Sequence, residues 1–479
     1  MIHFKINRLI FWVLLCLPVA VSAQTPLQHS LDRLLDDDFF QTATIGVSVY
    51  DLTADAPLYN RNERRLCRPA SNMKLLTAAA GLNRLTAAYE YTTTLSYTGA
   101  IDETGCLLGD LYITGGLDPE FSAAGLDSMV NMLDAIGIRR FEGNIYADIS
   151  AAEKVHWGKG WSWDDDTEAF QPYLTALPFN KGVVKLKVTP ASPSRNPAVH
   201  IEPNTEFIKL DNRATTVWKA KEPTNETLKF IRTGDDTGNM IEITGTIATK
   251  AKPYEREISV QSPTGYVLTV FSEKLNAKFA ESRAIGKGEM VTPIQAVLVG
   301  KIRHSLPEVI RQMNKESDNL NAEMLLRAIA LQVGQPATTQ NGVEQVEQLI
   351  TQLGFNPKTL SVVDGSGLSN QNYLTPEFLV AVLKLMYQSS DFSLFKSSLP
   401  EAGVDGTLKN RMKDTPAYRK VFAKTGTLTG ISTLSGYIEA KNGHLLAFSI
   451  MVQNFTLKAR VVNTNYIDKI CEQIVESKF

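Results

Sequence analysis

The sequence predicts an α/β domain split by a long β-rich insertion. Three observations carry that expectation. Strand and helix signals alternate before about residue 97 and return after about residue 288. The stretch between them is a series of short β-like runs joined by Pro- and Asn-rich connections. Three short polar motifs flank that stretch: Ser71-Asn72-Met73-Lys74 before it, Ser317-Asp318-Asn319 and Lys424-Thr425-Gly426 after it.

The first 23 residues are read as a signal peptide rather than as part of the fold. Lys5 and Arg8 give a basic start, an apolar run follows from Ile10 to Val21, and Val21-Ser22-Ala23 supplies small residues for cleavage after Ala23. The run is short for a membrane span of roughly 20 residues. Leu15 before Cys16 is too large for a lipoprotein cleavage site. No later stretch is apolar enough to cross a bilayer, so export to the periplasm or medium is expected.

Residues 44–50 alternate and are rich in branched side chains, as a strand would be; 51–60 is turn-like. Residues 73–89 are Ala- and Leu-rich without Pro, and their apolar residues run nearly all round, which predicts a buried helix starting near Ser71. Strands are expected at 91–97, 107–114, 143–147, 183–188, 206–210, 228–232, 240–247, 257–260 and 266–271, with a helix at 127–136. Helices follow at 294–303, 306–313 and 320–332. Residues 424–437 and 445–452 then read as neighbouring antiparallel strands.

The expected division is therefore 24–97 and 288–479 as one domain, with 98–287 inserted in it. Two sequential domains would leave Ser71 in a different domain from Ser317 and Lys424, with no reason for the motifs to occur together.

Those motifs fit serine acyl transfer. Three residues apart on a helix, Ser71 and Lys74 share a face. Ser at the first turn lies near free backbone N–H groups that suit a developing oxyanion. A Ser hydroxyl needs a base to take its proton, and Lys74 can serve only as a free amine. Its pKa must fall from about 10.4 through burial and a neighbouring cation, for which Lys424 is the candidate. Ser317 and Asn319, in a turn between helices, can pass a proton to a leaving amine and hold a substrate amide. Asp318 is expected to point away and cap the next helix. Glu323 reads as a helix surface charge. Lys424, Thr425 and Thr427 can bind a terminal carboxylate, and Gly426 would let substrate backbone approach the strand edge. The N–H groups of Ser71 and Thr427 would form the oxyanion hole. Taken alone each motif is common; Ser317-Asp318-Asn319 could be only a cap. All three in this order are specific.

Bulk properties narrow the field. The chain has 479 residues with 49 basic and 51 acidic side chains, a net charge of −2. Without Lys5 and Arg8 the balance is 47 against 51, or −4, which argues against a nucleic-acid partner. Cys67, Cys106 and Cys471 remain after the leader; three cannot all pair, although one disulfide is allowed. His156, Trp157 and Asp164 to Asp166 suggest a metal site but lack a partner at ligand spacing, so no metal or cofactor is expected. Asp364-Gly365-Ser366-Gly367 lacks calcium-loop periodicity and reads as a turn beside the cleft.

With these residues on the page, the chain resembles the D-alanyl-D-alanine carboxypeptidase/endopeptidase family, the penicillin-binding protein 4-like, class C low-molecular-mass penicillin-binding proteins of peptidase family S13. The resemblance rests on Pro69–Lys74, Gly160–Asp165, Ser317–Glu323, Asp364–Ser369, Gly406–Leu408 and Lys424–Thr427. It implies a domain of the transpeptidase/β-lactamase type, an antiparallel sheet with helices on both faces. It also implies a nested third small domain, at about 205–250. Ser71 would be acylated, with Lys74 as base, and Ser317, Asn319 and Lys424 would complete the site. Asp148 matches an aspartate that meets the free amine of a diaminopimelate side chain. Peptidoglycan stem peptides would be the substrates and β-lactam antibiotics the inhibitors. Loose association with membrane or wall and a homodimer are compatible with it. Asn321, and Cys67 close to Ser71, depart from the family pattern. A β-lactamase or esterase on the same fold would need a base for fast deacylation that the sequence does not assign. An inactive wall-binding module would not need three complete motifs.

Overall fold

The computed structural model describes residues 24–218, 227–233 and 239–477; the expected leader lies outside them. Its centre is a five-stranded antiparallel sheet. The strand order is Val421–Leu428, Ile431–Glu439, Leu445–Gln453, Thr44–Asp51, Ala56–Arg61, so chain ends far apart in sequence pair side by side. Residues 445–453 are almost wholly apolar because both faces are covered. Leu446, Phe448, Ile450 and Val452 meet a core that includes helices Pro26–Leu35 and Asp468–Glu476. Ala447 and Met451 meet the opposite core, with helices Met73–Leu85, Leu306–Lys315, Asn319–Gln332, Thr339–Gln352 and Pro376–Gln388. This is the antiparallel sheet with helices on both faces that the sequence predicts.

Met73–Leu85 is the buried helix of that layer, with every residue from Met73 to Leu82 inaccessible. It lies directly against Asn319–Gln332. A Cβ on Gly81 would come within 2.8 Å of a Leu325 methyl, so glycine sets how near the two helices approach. The helices carrying and preceding the second motif have strong start signals. Ser305 and Glu308 form a capping box for Leu306–Lys315, and Asp318 caps Asn319–Gln332 by accepting from Asn321 N (3.0 Å).

In the middle of the chain, Glu90–Tyr97 and Val297–Ser305 pair with each other in a seven-stranded mixed sheet. Its strands run Val297–Ser305, Glu90–Tyr97, Leu111–Thr114, Arg140–Asp148, Cys106–Leu108, Ala100–Ile101, and Arg283–Glu289 also pairs with Arg140–Asp148. Tyr97 and Lys287, beside the expected junctions, both lie in strands of this sheet. Two elements differ from expectation: the expected strand at 266–271 lies within helix Pro263–Lys278, and the expected helix at 294–303 overlaps strand Val297–Ser305. The core of this sheet includes helix Ala123–Ala135, where a helix is expected at 127–136, and helix Pro263–Lys278. Smaller sheets follow: Val183–Thr189 with Ala198–Glu202 and Tyr254–Ser259, then Ile208–Asn212, Lys229–Thr233 and Asn239–Thr244, and finally Thr215–Val217 with Thr246–Ala248.

Candidate active site

Three elements converge on one cleft of about 1010 Å³, lined by Ser71, Ser317, Asn319, Thr425 and Thr427 of the central domain and by Ser162, Asp165 and Phe170 of the insertion. Ser71 sits in the 3-10 turn Ala70–Asn72 that leads into Met73–Leu85. One turn on, Lys74 is fully buried. Its Nζ lies 3.1 Å from Ser71 Oγ, 2.5 Å from Asn319 Oδ1 and 2.7 Å from the Ser366 carbonyl. Two of these atoms can only accept. A neutral amine has two protons for them and one lone pair left, which faces Ser71. The Ser71 O–H can then donate to that lone pair, the contact a general base needs.

Burial lowers the pKa of Lys74 to about 8, against the pull of Asp364, Asp318 and Glu323 toward the charged form. Desolvation is the dominant cause. The two buried ammonium groups also repel each other: burial first and Lys74 second push Lys424 well below the ordinary lysine value. Lys424 Nζ donates to Ser317 Oγ (2.9 Å) and the Thr425 carbonyl (2.8 Å), and among the described residues no carboxylate pairs with it. Thr425 Oγ1 contacts Thr407 Oγ1 at 2.8 Å.

Val421–Leu428 is an edge strand of the central sheet, and its outer side carries an isolated bridge from Phe422 to Glu401. The lack of a side chain at Gly426 also matters to the packing of the site itself. A Cβ there would lie 2.3 Å from Thr433 Oγ1, 2.8 Å from the Pro69 carbonyl and 3.0 Å from Ser71 N. Glycine lets the strand press against the turn that carries Ser71. Asn72 bolts the same contact from below, donating to the Lys424 carbonyl (2.8 Å) and accepting from Ser435 Oγ (2.7 Å).

Behind Lys74, the Asp364–Ser369 turn lies beside the cleft as expected, and its polar atoms hold the turn itself. Asp364 accepts from Gly367 N (2.8 Å), Ser369 N (2.7 Å), Asn372 Nδ2 (2.7 Å) and Trp161 Nε1 (3.0 Å). Glu323 is not a surface charge. It is completely buried and accepts from Gly365 N (3.1 Å) and Ser366 N (2.9 Å), and so aims the Ser366 carbonyl at Lys74. Burial and Asp364 push its carboxyl up, opposed by Arg327, whose Nη1 is 3.3 Å away. Sequence reasoning missed this role, as it missed Phe170, whose carbonyl accepts from Asn319 Nδ2 (2.7 Å). Asp318 caps its helix but does not simply point away; it also pairs with Lys181 of the insertion at 3.1 Å.

Asp148 is not brought to this cleft. It ends strand Arg140–Asp148, nearly buried, with Oδ1 accepting from Ser150 N (3.0 Å) and Ser150 Oγ (2.6 Å), and Oδ2 from Thr292 N (2.8 Å). Burial raises its carboxyl, but those hydrogen bonds outweigh it and the net shift is downward. Its oxygens help close the loop around the strand end. Cys67, Cys106 and Cys471 are buried and unpaired; burial pushes the Cys67 thiol up to about 11, so nearness to Ser71 does not make it reactive. Among the described residues no group of three or more His, Cys, Asp or Glu is placed to hold a metal, and no helix is long and apolar enough to cross a membrane.

The fold and this constellation define the transpeptidase/β-lactamase class of serine enzymes. Comparison with known proteins narrows it. The family model for the D-Ala-D-Ala carboxypeptidase 3 (S13) family matches residues 27–473. A D-alanyl-D-alanine carboxypeptidase of Actinomadura sp. (strain R39) is 33% identical over 441 residues, 89% of this chain and 81% of that one. The D-alanyl-D-alanine carboxypeptidase DacB of Haemophilus influenzae is 25% identical over 424 residues, 86% of each chain. The crystal structure of penicillin binding protein 4 from Haemophilus influenzae superposes with a TM-score of 0.78 at 24% identity, over 92% of this chain and 97% of that one. The chain belongs to the D-Ala-D-Ala carboxypeptidase 3 (S13) family.

Proposed function

We propose that this chain hydrolyses the D-Ala-D-Ala bond of peptidoglycan stem peptides through an acyl-enzyme on Ser71. The observation that carries the reading is the Lys74 amine, fully buried, with two acceptors for its protons and its third contact on Ser71 Oγ. As Ser71 Oγ bonds to the carbonyl carbon, its proton passes to Lys74. The N–H groups of Ser71 and Thr427 receive the oxyanion. Collapse breaks the C–N bond; Ser317, hydrogen-bonded to Lys424, delivers a proton to the departing D-Ala amine and receives in its place the proton that Lys74 took up, which leaves Lys74 neutral again. Water then attacks the ester, its proton passing to Lys74 and from there to Ser71 Oγ as the C–O bond breaks, which regenerates Ser71. Lys424 with Thr425 and Thr427 binds the terminal carboxylate.

The same chemistry with a longer amine leaving group cuts the D-Ala-diaminopimelate crosslink. The cleft suits this reading because it continues beyond Ser71 to Gly430, Phe455 and Leu457. β-Lactams, whose strained amide mimics the scissile bond, would acylate Ser71 and stay. Action on peptidoglycan fits the exported chain that the leader predicts. We also propose that the domains meet near residues 89 and 306. The test is incubation with a D-Ala-D-Ala pentapeptide and with crosslinked muropeptide dimers. Released D-Ala supports the carboxypeptidase reading, and cut dimers support the endopeptidase one. A folded enzyme that does neither refutes both.

A further inference from the structure

We propose that Lys181, supplied by the insertion, is a positioning residue for the Ser317–Asn319 turn, acting through Asp318 and Asn321. The proposal rests on the Ser71 acylation chemistry proposed above.

The turn needs holding. Ser317 is a non-glycine residue in the left-handed region, with φ of 64°. Such a backbone persists only where its surroundings over-determine it. Asp318 spends one oxygen on the helix cap, accepting from Asn321 N, and offers the other to Lys181 Nζ at 3.1 Å. Asn321, completely buried, accepts from Lys181 Nζ at 2.6 Å through Oδ1. Its Nδ2 donates to Glu120 Oε1 (2.7 Å) and to the Val309 carbonyl (3.0 Å). Lys181 closes the ring by donating to Glu120 Oε1 at 2.7 Å. One ammonium thus stands between Glu120 of the insertion and, on the other side, the Asp318 carboxylate and the buried Asn321 amide of the turn and its helix. The Asn321 amide closes the ring through both of its ends.

The insertion in turn is built to aim that lysine. Asn180 and Lys181 are consecutive non-glycine residues at φ of 47° and 58°. Asn180 fixes the turn by accepting from Ala123 N (2.9 Å) and donating to Tyr266 OH (3.3 Å). Two strained turns on opposite sides of the junction therefore face each other through Lys181. Their product is the placement of Ser317 against Lys424 and of Asn319 against Lys74. Without the ammonium, Glu120 and Asp318 lose the cation between them, and Asp318 loses its link to the insertion while Asn321 keeps its own through Glu120.

The test is rapid-mixing acylation by benzylpenicillin, which separates the noncovalent binding constant, the acylation rate constant and the fraction of protein labelled. For Lys181→Met the acylation rate constant should fall by about 10- to 100-fold, as a displaced reacting group does. Binding and stoichiometric labelling should hold, and Lys181→Arg should recover part of the rate. Lys185→Met, which removes a lysine paired with Glu255 in the neighbouring sheet, should leave the rate unchanged. A Lys181→Met enzyme acylated at the wild-type rate constant overturns the proposal. So does one whose only defect is a smaller labelled fraction, since that reports folding alone, and so does equal loss in Lys181→Arg. If wild type itself is never acylated, the proposed function falls and this inference with it.

Discussion

Lys74 and Lys424 are both completely buried, yet their pockets differ in what they offer a positive charge. Around Lys74 stand two acceptor-only oxygens, the Ser71 hydroxyl and the field of Asp364, Asp318 and Glu323. Lys424 has one hydroxyl, one carbonyl and the repulsion of Lys74. The first pocket can accept and release a proton near neutral pH. The second holds an ammonium poorly until an anion arrives. The Ser317–Asn319 turn joins them, with Asn319 on one lysine and Ser317 on the other. In the proposed mechanism this difference divides the work, Lys74 handling the proton and Lys424 the carboxylate.

The largest expected effect breaks the first pocket. Lys74→Met should slow penicillin acylation by about 10²- to 10⁴-fold, the usual worth of a positioned base, as followed by quenched-flow mass measurement. Next comes the second pocket. Lys424→Met should lower D-Ala release by about 10- to 100-fold, since a hydrogen bond to a charged group is worth roughly 1.5–3 kcal/mol. Lys424→Arg should keep part of the activity, because the charge remains while the fork geometry differs. Equal losses in Lys74→Met and Lys424→Arg would erase the distinction between the pockets.

The pH profile sharpens the same comparison. Lys74 is a base only when unprotonated, and burial sets its pKa at about 8. Below that value the neutral fraction, and with it the acylation rate, should rise about tenfold per pH unit, levelling above it. A rate independent of pH between 5 and 7, measured with a neutral ester, would mean that Lys74 does not hold the proton at issue. The smallest effect on chemistry belongs to Asp148→Asn. Its carboxylate serves Ser150 and Thr292, so the variant should lose about 1–3 kcal/mol of stability by denaturant titration while penicillin acylation proceeds at the wild-type rate.

How much of this was legible in the sequence follows from what kind of interaction each residue makes. The motif residues Ser71, Lys74, Ser317, Asn319 and Lys424 could be read because their chemistry lies in their side chains and spacing. Phe170 could not, because its contribution is a backbone carbonyl that any residue supplies. Glu323 was read as exposed because a charge on a helix usually is; here Arg327 one turn on and two backbone N–H groups satisfy it in the core. In the insertion, residues 266–271 (Tyr-Val-Leu-Thr-Val-Phe) are a short branched run that suits either a strand or a helix. The deciding signal was Pro263 at the first helical turn. Residues 297–305 went the other way: nonlocal pairing with Glu90–Tyr97 fixed them as a strand. The packing contact of Gly426 could not be read, because its neighbour, the turn Pro69–Ser71, lies hundreds of residues away in sequence.

The central claim is that Ser71 is the acylated residue with Lys74 as its base. Its most direct test is intact-mass measurement after brief exposure to benzylpenicillin, followed by peptide mapping, on wild type and Lys74→Met side by side. The account predicts one adduct per wild-type chain, on the peptide that carries Ser71, and almost none on the variant in the same time. No adduct on folded wild type, an adduct on another serine such as Ser317 or Ser366, or equal labelling of both proteins would contradict it.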